Sequence, residues 1–265
     1  MARVIAVANQ KGGVGKTTTA INIAAGLAAA ERRTLLVDGD PQGNASSGIG
    51  VSRTHDGLTS YDVLLDPTLA RTAVIAGVQF PNLDVLPASP DLAAAEVELA
   101  STSGRELRMR DAIDRLRGSY DYIVIDCPPS LGLITLNMLV AADSVLIPLQ
   151  CEYYALEGLS QLMKTIDAIQ NGSRPSLTLE GVVLTMFDSR LNLSRQVSED
   201  AKAHFGESVF KNIIPRNIRL AEAPSFGKPI IAYDLASVGA QAYLGVVGEI
   251  IAKTETIADV QLIAV

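Results

Sequence analysis

The chain has 265 residues, of which 48% are hydrophobic and 19% are charged. This composition excludes an intrinsically disordered protein and provides apolar surface for one sizeable core. Two cysteines are too few for a disulfide-stapled secreted fold, and no apolar run reaches the ~18–20 residues that cross a bilayer. The net charge of −7 and the pI of about 4.9 argue, for the protein as a whole, against a polyanion as partner.

The first predicted elements are a strand, a glycine-rich loop and a helix. Residues 4–8 form an apolar run, residues 10–18 read QKGGVGKTT, and a helix-like stretch follows. In this context a phosphate loop directs its backbone N–H groups and the positive end of the helix at a nucleotide. The sequence therefore predicts a nucleotide-binding loop that consists of Lys11, Gly12, Gly13, Val14, Gly15, Lys16, Thr17 and Thr18.

The chemistry expected of this loop depends on its lysines and its threonine. Lys16 is placed to reach the β- and γ-phosphates, and the Thr17 hydroxyl to bind Mg²⁺. Gln10 occupies the position of the first glycine of the usual pattern, and Lys11 adds a second lysine. Because Lys16 already neutralises the phosphates, we expect Lys11 to reach a nucleotide held by another copy of the chain, as an arginine finger does in trans. A solvated loop lysine is the alternative.

Two further predicted strands end close to acidic residues. Residues 33–38 are followed by Asp40, and residues 120–126 end at Asp126. The carboxyl ends of parallel strands meet at one edge of a sheet, where ligands bind in α/β proteins. We therefore predict that Asp40 orients the attacking water and that Asp126, with Asp40, holds Mg²⁺ through water molecules. A plain strand-end or turn role is the alternative for each acid.

The rest of the chain alternates between apolar runs and segments of helical period. These segments are residues 143–149, 155–170, 177–185, 193–205 and 239–253. The alternation predicts one α/β domain over residues 1–265, with a predominantly parallel central sheet flanked by helices, as in phosphate-loop NTPases. We expect residues 54–90 to form surface helices and loops and residues 254–265 a short tail. No signal peptide or helix-turn-helix domain is expected before the first strand.

Four motifs together resemble the ParA/Soj family of chromosome- and plasmid-partitioning ATPases, which have a deviant Walker A motif. They are KGGVGKTT at residues 11–18, DGDPQGN at 38–44, DCPPS at 126–130 and IPRN at 214–217. The resemblance runs from about residue 3 to about residue 250, and residues 151–158 and 222–229 resemble the chromosomal, Soj-like branch. Gly39 stands where the family more often carries a larger apolar residue, which we interpret as loosening the first switch.

The resemblance implies a slow ATPase that uses ATP and Mg²⁺ and forms an ATP-sandwich homodimer. In such a dimer Lys11 contacts the nucleotide of the partner, and Asp40 is needed for hydrolysis. The resemblance also implies that Pro215 and Asn217 lie against the adenine. A ParB-like centromere-binding protein is the expected activator, and the cytoplasm, in association with the nucleoid, is the expected location.

A DNA-binding role is implied for the segment from residue 190 to residue 228. This segment has seven basic and four acidic residues in a chain that is otherwise acidic. Members of the family bind duplex DNA without sequence preference as the ATP dimer, and Arg190 and Arg219 match their DNA-contacting arginines. From the same segment we add Arg216 and Lys228 as candidate DNA-binding residues. A solvated surface of mixed charge is the alternative.

Three other functions are open at this point. A membrane-cycling ATPase of the MinD type needs a basic amphipathic C-terminal helix, whereas residues 253–265 have one lysine and two acids. A nucleotide-linked scaffold needs no turnover. A metal-cluster-loading ATPase is disfavoured because the sequence has no C-x-x-C. The sequence does not distinguish a chromosome from a plasmid as cargo.

Overall fold

A computed structural model describes residues 1–52, 55–152 and 155–263, with the side chains of 155–158 and 257–263 left out. A six-stranded sheet has the order β3-β2-β4-β1-β5-β6, and neighbouring strands run parallel. The strands are β1 (Arg3–Val7), β2 (Thr34–Asp38), β3 (Leu83–Leu86), β4 (Tyr122–Asp126), β5 (Ser144–Gln150) and β6 (Thr178–Thr185). The predicted parallel α/β architecture is confirmed.

Helices connect the strands and cover the sheet. The larger ones are α1 (Lys16–Ala29), α5 (Arg108–Leu116), α6 (Leu133–Ala141), α7 (Ala155–Gln170), α8 (Asn192–Phe205) and α11 (Val238–Ile263). Short helices are α2 (Asn44–Gly48), α3 (Ser60–Leu65), α4 (Ala95–Glu98), α9 (Ile218–Glu222) and α10 (Ile230–Tyr233). Within the described residues, none of these helices combines the length and the apolarity that a bilayer crossing requires.

The sheet lies between two apolar cores. Helices α1 and α11 pack on one face, and α5, α6 and α7 pack on the other. Strands covered on both faces become continuous apolar runs, and all five residues of β2 and of β4 are buried. All strands therefore point their carboxyl ends toward one edge, where the loops after β1, β2, β4 and β6 converge.

The structure corrects two expectations about element boundaries. Residues 54–90 contain the edge strand β3. The sequence did not predict it, because it has only four residues and one of them is the charged Asp84. Helix α11 continues to Ile263, because no glycine or proline ends it near residue 253. The predicted tail is therefore largely a continuation of this helix. Thr54, residues 153–154 of the Soj-like motif and residues 264–265 of the tail lie outside the described residues.

Candidate nucleotide site

The phosphate loop takes a conformation that requires glycine at two positions. Gly13 has φ 75° and Gly15 has φ 89°, both in the left-handed region. Gly15 directly precedes α1, whose first turn has unsatisfied N–H groups directed back toward the loop. The loop and the helix end therefore form an anion-binding cradle, as the glycine spacing predicts.

Polar side chains fasten this loop to the neighbouring strands. The Asn9 side chain accepts a hydrogen bond from the Lys11 backbone N–H (3.0 Å) and donates one to the Pro148 carbonyl (2.8 Å). On the other side, the Thr185 hydroxyl donates to the Val14 carbonyl at 2.8 Å. Sequence reasoning missed Asn9 and Thr185, although each is a polar residue at the buried end of an apolar strand. The two anchors preorganise the loop for phosphate.

The two loop lysines have different environments. Lys16 is 7% exposed, and its Nζ donates to the Lys11 carbonyl oxygen at 3.0 Å. Burial lowers the pKa of Lys16, and the charges of Asp126 and Asp40 partly offset this effect. The Lys11 side chain is 34% exposed, and its Nζ lies 3.7 Å from Glu152 Oε2. Lys16 is thus directed into the cradle, whereas Lys11 is directed to the surface.

Asp126 lies fully buried at the end of β4. Neither of its carboxylate oxygens has a hydrogen-bond partner of normal geometry among the described residues. Burial, followed by the charge of Asp38, raises the pKa of Asp126, while the Thr17 hydroxyl and the Lys16 ammonium oppose the rise. A buried carboxylate without a partner is costly unless a cation compensates it. These oxygens, beside the Thr17 hydroxyl, therefore fit Mg²⁺.

The donor set also suits this ion. Among the described residues, no group of three or more His, Cys, Asp or Glu side chains could hold a metal ion by itself. Mg²⁺ commonly takes only one or two protein ligands and keeps water and phosphate oxygens as the others. The few ligands here are consistent with that mode of binding.

Asp40 is held close to this site by Asp38. Asp40 is 8% exposed, and its charge acts on both Lys16 and Asp126. Asp38 accepts hydrogen bonds from the Asp40 backbone N–H (3.1 Å) and from the backbone N–H and the hydroxyl of Ser46 (2.8 and 2.7 Å). The structural role of Asp38 was not predicted from the sequence. Asp38 fixes the start of the loop that carries Asp40.

Gly39 holds the same loop against β4. Its N–H donates to the Asp126 carbonyl oxygen at 2.9 Å. A Cβ at this position would lie 2.8 Å from that oxygen and 3.0 Å from the Met138 methyl group. The missing side chain thus permits a close contact with β4, and the interpretation of Gly39 as loosening the first switch stays a prediction.

A cavity of about 220 Å³ opens beside the loop. The residues that line it include Gly15, Thr18, Thr185, Met186, Ile214, Pro215, Arg216, Asn217, Leu220, Ala221 and Tyr243. The cavity thus joins loop residues to both residues predicted to contact adenine. Its position and apolar character suit a nucleobase.

Two lining residues were not predicted. Met186 has φ 51°, which is unusual for a residue other than glycine and turns the chain just after β6. The buried Tyr243 hydroxyl shares a hydrogen bond of 3.0 Å with the Thr19 hydroxyl. Both belong to segments far from the phosphate loop in sequence, and neither has a motif of its own.

The four candidate DNA-binding residues are exposed, but the arginines have acidic neighbours. Arg190 pairs with Asp188 (2.7 Å), and its hydrogen bonds lower the pKa of Asp188 to about 2. Arg219 lies 3.0 Å from Glu222 and 3.5 Å from Asp234.

Arg216 lies 3.7 Å from Glu152. Asp188, Glu152 and Asp234 fall outside residues 190–228, so the charge count along the sequence overstated the basic character of this surface.

Comparison with known proteins identifies close relatives. A model of the AAA domain family matches residues 2–179. The chromosome partitioning protein ParA of Myxococcus xanthus is 57% identical over 251 residues, which cover 95% of this chain and 88% of that protein. The sporulation initiation inhibitor protein Soj of Bacillus subtilis is 53% identical, with 96% of this chain and 100% of that protein covered.

Solved structures agree with this result. The structure of cobyrinic acid a,c-diamide synthase from Mycobacterium smegmatis with a bound ATP analogue and magnesium is 39% identical with a TM-score of 0.82, and 94% of this chain and 93% of that chain are covered. The septum site-determining protein MinD of Pyrococcus horikoshii, complexed with Mg-ADP, is 27% identical with a TM-score of 0.79, and the covered shares are 94% and 96%.

Proposed function

This chain belongs to the ParA/Soj family of chromosome-partitioning ATPases, and we propose that it is a switch in which ATP controls binding to DNA. ATP assembles two copies into a sandwich dimer, and the dimer binds duplex DNA without sequence preference. Hydrolysis then returns the protein to monomers. The cycle takes place in the cytoplasm, on the nucleoid, with Mg²⁺ as the metal cofactor.

The different directions of the two loop lysines carry this proposal. Lys16 Nζ lies within the loop on the Lys11 carbonyl, where a phosphate oxygen can replace that acceptor. The Lys11 side chain is 34% exposed, and its Nζ lies 3.7 Å from Glu152 Oε2 rather than on a group of its own loop. A cation in this position serves a nucleotide that approaches from outside, and a second copy supplies one. Nucleotide binding and dimerisation are thereby coupled.

The hydrolytic chemistry follows from the acids at the strand ends. Lys16 and the backbone N–H groups of the loop bind and orient the phosphates. Asp40, at the same edge, orients the attacking water. Thr17 and Asp126 would hold Mg²⁺, which would neutralise negative charge on the bound phosphates. Pro215 and Asn217 hold the adenine in the cavity beside the loop.

The proposed DNA surface consists of Arg190, Arg216, Arg219 and Lys228, all of which are exposed. Their acidic neighbours make the surface of one protomer a weak phosphate ligand. A dimer doubles the number of cations that one duplex contacts, so affinity rises steeply on dimerisation. A ParB-like partner stimulates hydrolysis and so sets the lifetime of the DNA-bound state.

The test is binding to random-sequence duplex DNA with ATP or ADP at several salt concentrations, with anionic liposomes as a parallel sample. We expect binding with ATP that weakens steeply as salt rises, because each neutralised phosphate releases a counterion. Liposome binding without DNA binding would replace the proposal with a membrane-cycling ATPase. Binding to neither surface would favour a nucleotide-linked scaffold.

A further inference from the structure

The carboxylate of Glu152 bridges the two ends of the nucleotide site. Its Oε2 lies 3.7 Å from Lys11 Nζ, and its Oε1 lies 3.7 Å from Arg216 Nη2. Lys11 belongs to the phosphate loop, whereas Arg216 lines the cavity beside it. No motif predicted a role for Glu152, although it lies within the Soj-like segment.

The backbone fixes Glu152 in this bridging position. It follows β5 by two residues, and its N–H donates to the Gln150 carbonyl oxygen at 2.8 Å. The Gln150 side-chain amide donates to Glu152 Oε1 at 2.5 Å. Held in this way at the carboxyl edge of the sheet, Glu152 contacts the one loop lysine that faces solvent.

We propose that Glu152 is a positioning residue that restrains Lys11 and Arg216 in the single protomer. The inference rests on the proposed function, in which Lys11 binds the nucleotide of a second copy. Lys11 must leave Glu152 before it can make that contact. The phosphate charge of the approaching nucleotide competes with the carboxylate for the same ammonium.

The exposure of these ion pairs suits a restraint that must be reversible. The side chains of Lys11, Glu152 and Arg216 are 34%, 46% and 61% exposed. Ion pairs this exposed are weak and are screened by salt. They reduce dimerisation of the free protein without preventing it once ATP is bound. The release of Glu152 also frees Arg216, so that DNA binding and dimerisation respond to the same event.

The test is the dissociation constant of the dimer for Glu152→Gln, measured by analytical ultracentrifugation with a non-hydrolysable ATP analogue and Mg²⁺. Glutamine keeps the shape of the side chain and removes its charge. Because both protomers lose the restraint, we expect a dimer about two- to tenfold tighter at low salt. The difference from the wild type should shrink in high salt, whereas a purely structural defect would weaken the dimer at every salt concentration.

Glu255→Gln is the matched control. Glu255 forms an exposed ion pair with Arg32 at 2.9 Å, away from the strand ends that carry the site. Glu255→Gln removes one negative charge, as Glu152→Gln does, but should leave the dissociation constant of the dimer unchanged. If Glu152→Gln dimerises as the wild type does or more weakly, while Lys11→Ala cannot dimerise, the restraint by Glu152 is overturned. The trans contact of Lys11 in the proposed function would then still stand. Wild-type dimerisation of Lys11→Ala would instead overturn the trans-lysine part of the proposed function.

Discussion

Asp38 and Asp126 lie opposite each other in register on β2 and β4, and both are fully buried. Burial raises the pKa of Asp38 to about 6, against the hydrogen bonds that Ser46 and Asp40 donate to it. Among the described residues, neither carboxylate oxygen of Asp126 has a hydrogen-bond partner of normal geometry. The two carboxylates therefore have different tasks. Asp38 holds the loop that carries Asp40, and Asp126 is available to a cation.

Asp40 provides a test of the hydrolytic mechanism. We predict that Asp40→Ala and Asp40→Asn bind ATP nearly as the wild type does but release phosphate about 100-fold more slowly or worse, because alanine cannot hold the attacking water and asparagine offers it only an uncharged, weaker acceptor. Asparagine also retains an acceptor for the Gln42 backbone N–H, which Asp40 now binds at 2.9 Å. Wild-type phosphate release from Asp40→Asn would show that Asp40 does not act on the water.

Asn217 provides a test of the base cavity. Its Oδ1 accepts the Arg219 backbone N–H at 2.9 Å and caps α9, which leaves the amide N–H groups to donate to a base. Aspartate caps a helix about as well as asparagine but cannot donate. We therefore predict that Asn217→Asp keeps the melting temperature of the wild type and weakens ATP binding by roughly three- to tenfold.

Calorimetric titration with ATP measures that change. The N–H groups of Asn217 do not contact the base if the affinity of Asn217→Asp equals that of the wild type.

Arg219 provides a test of the DNA surface. Arg219→Ala should weaken DNA binding by the ATP-bound protein and reduce the slope of log affinity against log salt by about one for each protomer in contact. ATP binding should not change, because the Asn217 cap uses the backbone N–H of residue 219. Arg33→Ala removes an exposed arginine paired with Asp121 at the other end of β2 and should have no effect. Unchanged DNA affinity in Arg219→Ala would remove Arg219 from the surface.

Asp143 provides a test of stability against pH. Burial opposes its charge, but hydrogen bonds from Arg117 and the Val4 backbone N–H, with the charge of Arg174, outweigh burial and lower its pKa. A lowered carboxyl pKa stabilises the fold above the unfolded pKa of about 3.9, and that stability is lost as pH falls through the folded value.

The free energy of unfolding of Asp143→Asn at pH 7 should therefore be lower than that of the wild type by about 1 kcal/mol. The difference is small because the ion pairs of Asp143 with Arg117 and Arg174 are partly exposed to solvent. The difference should shrink as pH falls below about 4. Thermal unfolding of both proteins across this range measures it. A difference that stays constant with pH would contradict an electrostatic role.

The sequence was sufficient for those parts of the site that local patterns specify. Glycine spacing predicted the phosphate loop, and apolar runs that end near acids predicted roles for Asp40 and Asp126, whose side chains the structure places at one edge of the sheet. Such patterns are informative because a parallel sheet brings the carboxyl ends of its strands to one edge, whatever the rest of the sequence.

The remaining features depend on which segments become neighbours. The role of Asp38 requires β2 to lie next to β4, and the ion pair of Arg216 with Glu152 joins residues far apart in the chain. Strand β3 is too short, and too close to loop-forming prolines, to stand out as a strand. Charge counts along one segment cannot include partners from other segments, and for this reason the basic surface was overestimated.

The central claim is that ATP joins two copies through Lys11. The most direct test is the mass of the protein in solution with ATP and Mg²⁺, for the wild type and for Lys11→Ala, with ATP binding measured separately. We predict that the wild type doubles in mass, whereas Lys11→Ala binds ATP through Lys16 and remains a monomer. An ATP-dependent dimer of Lys11→Ala would contradict the account.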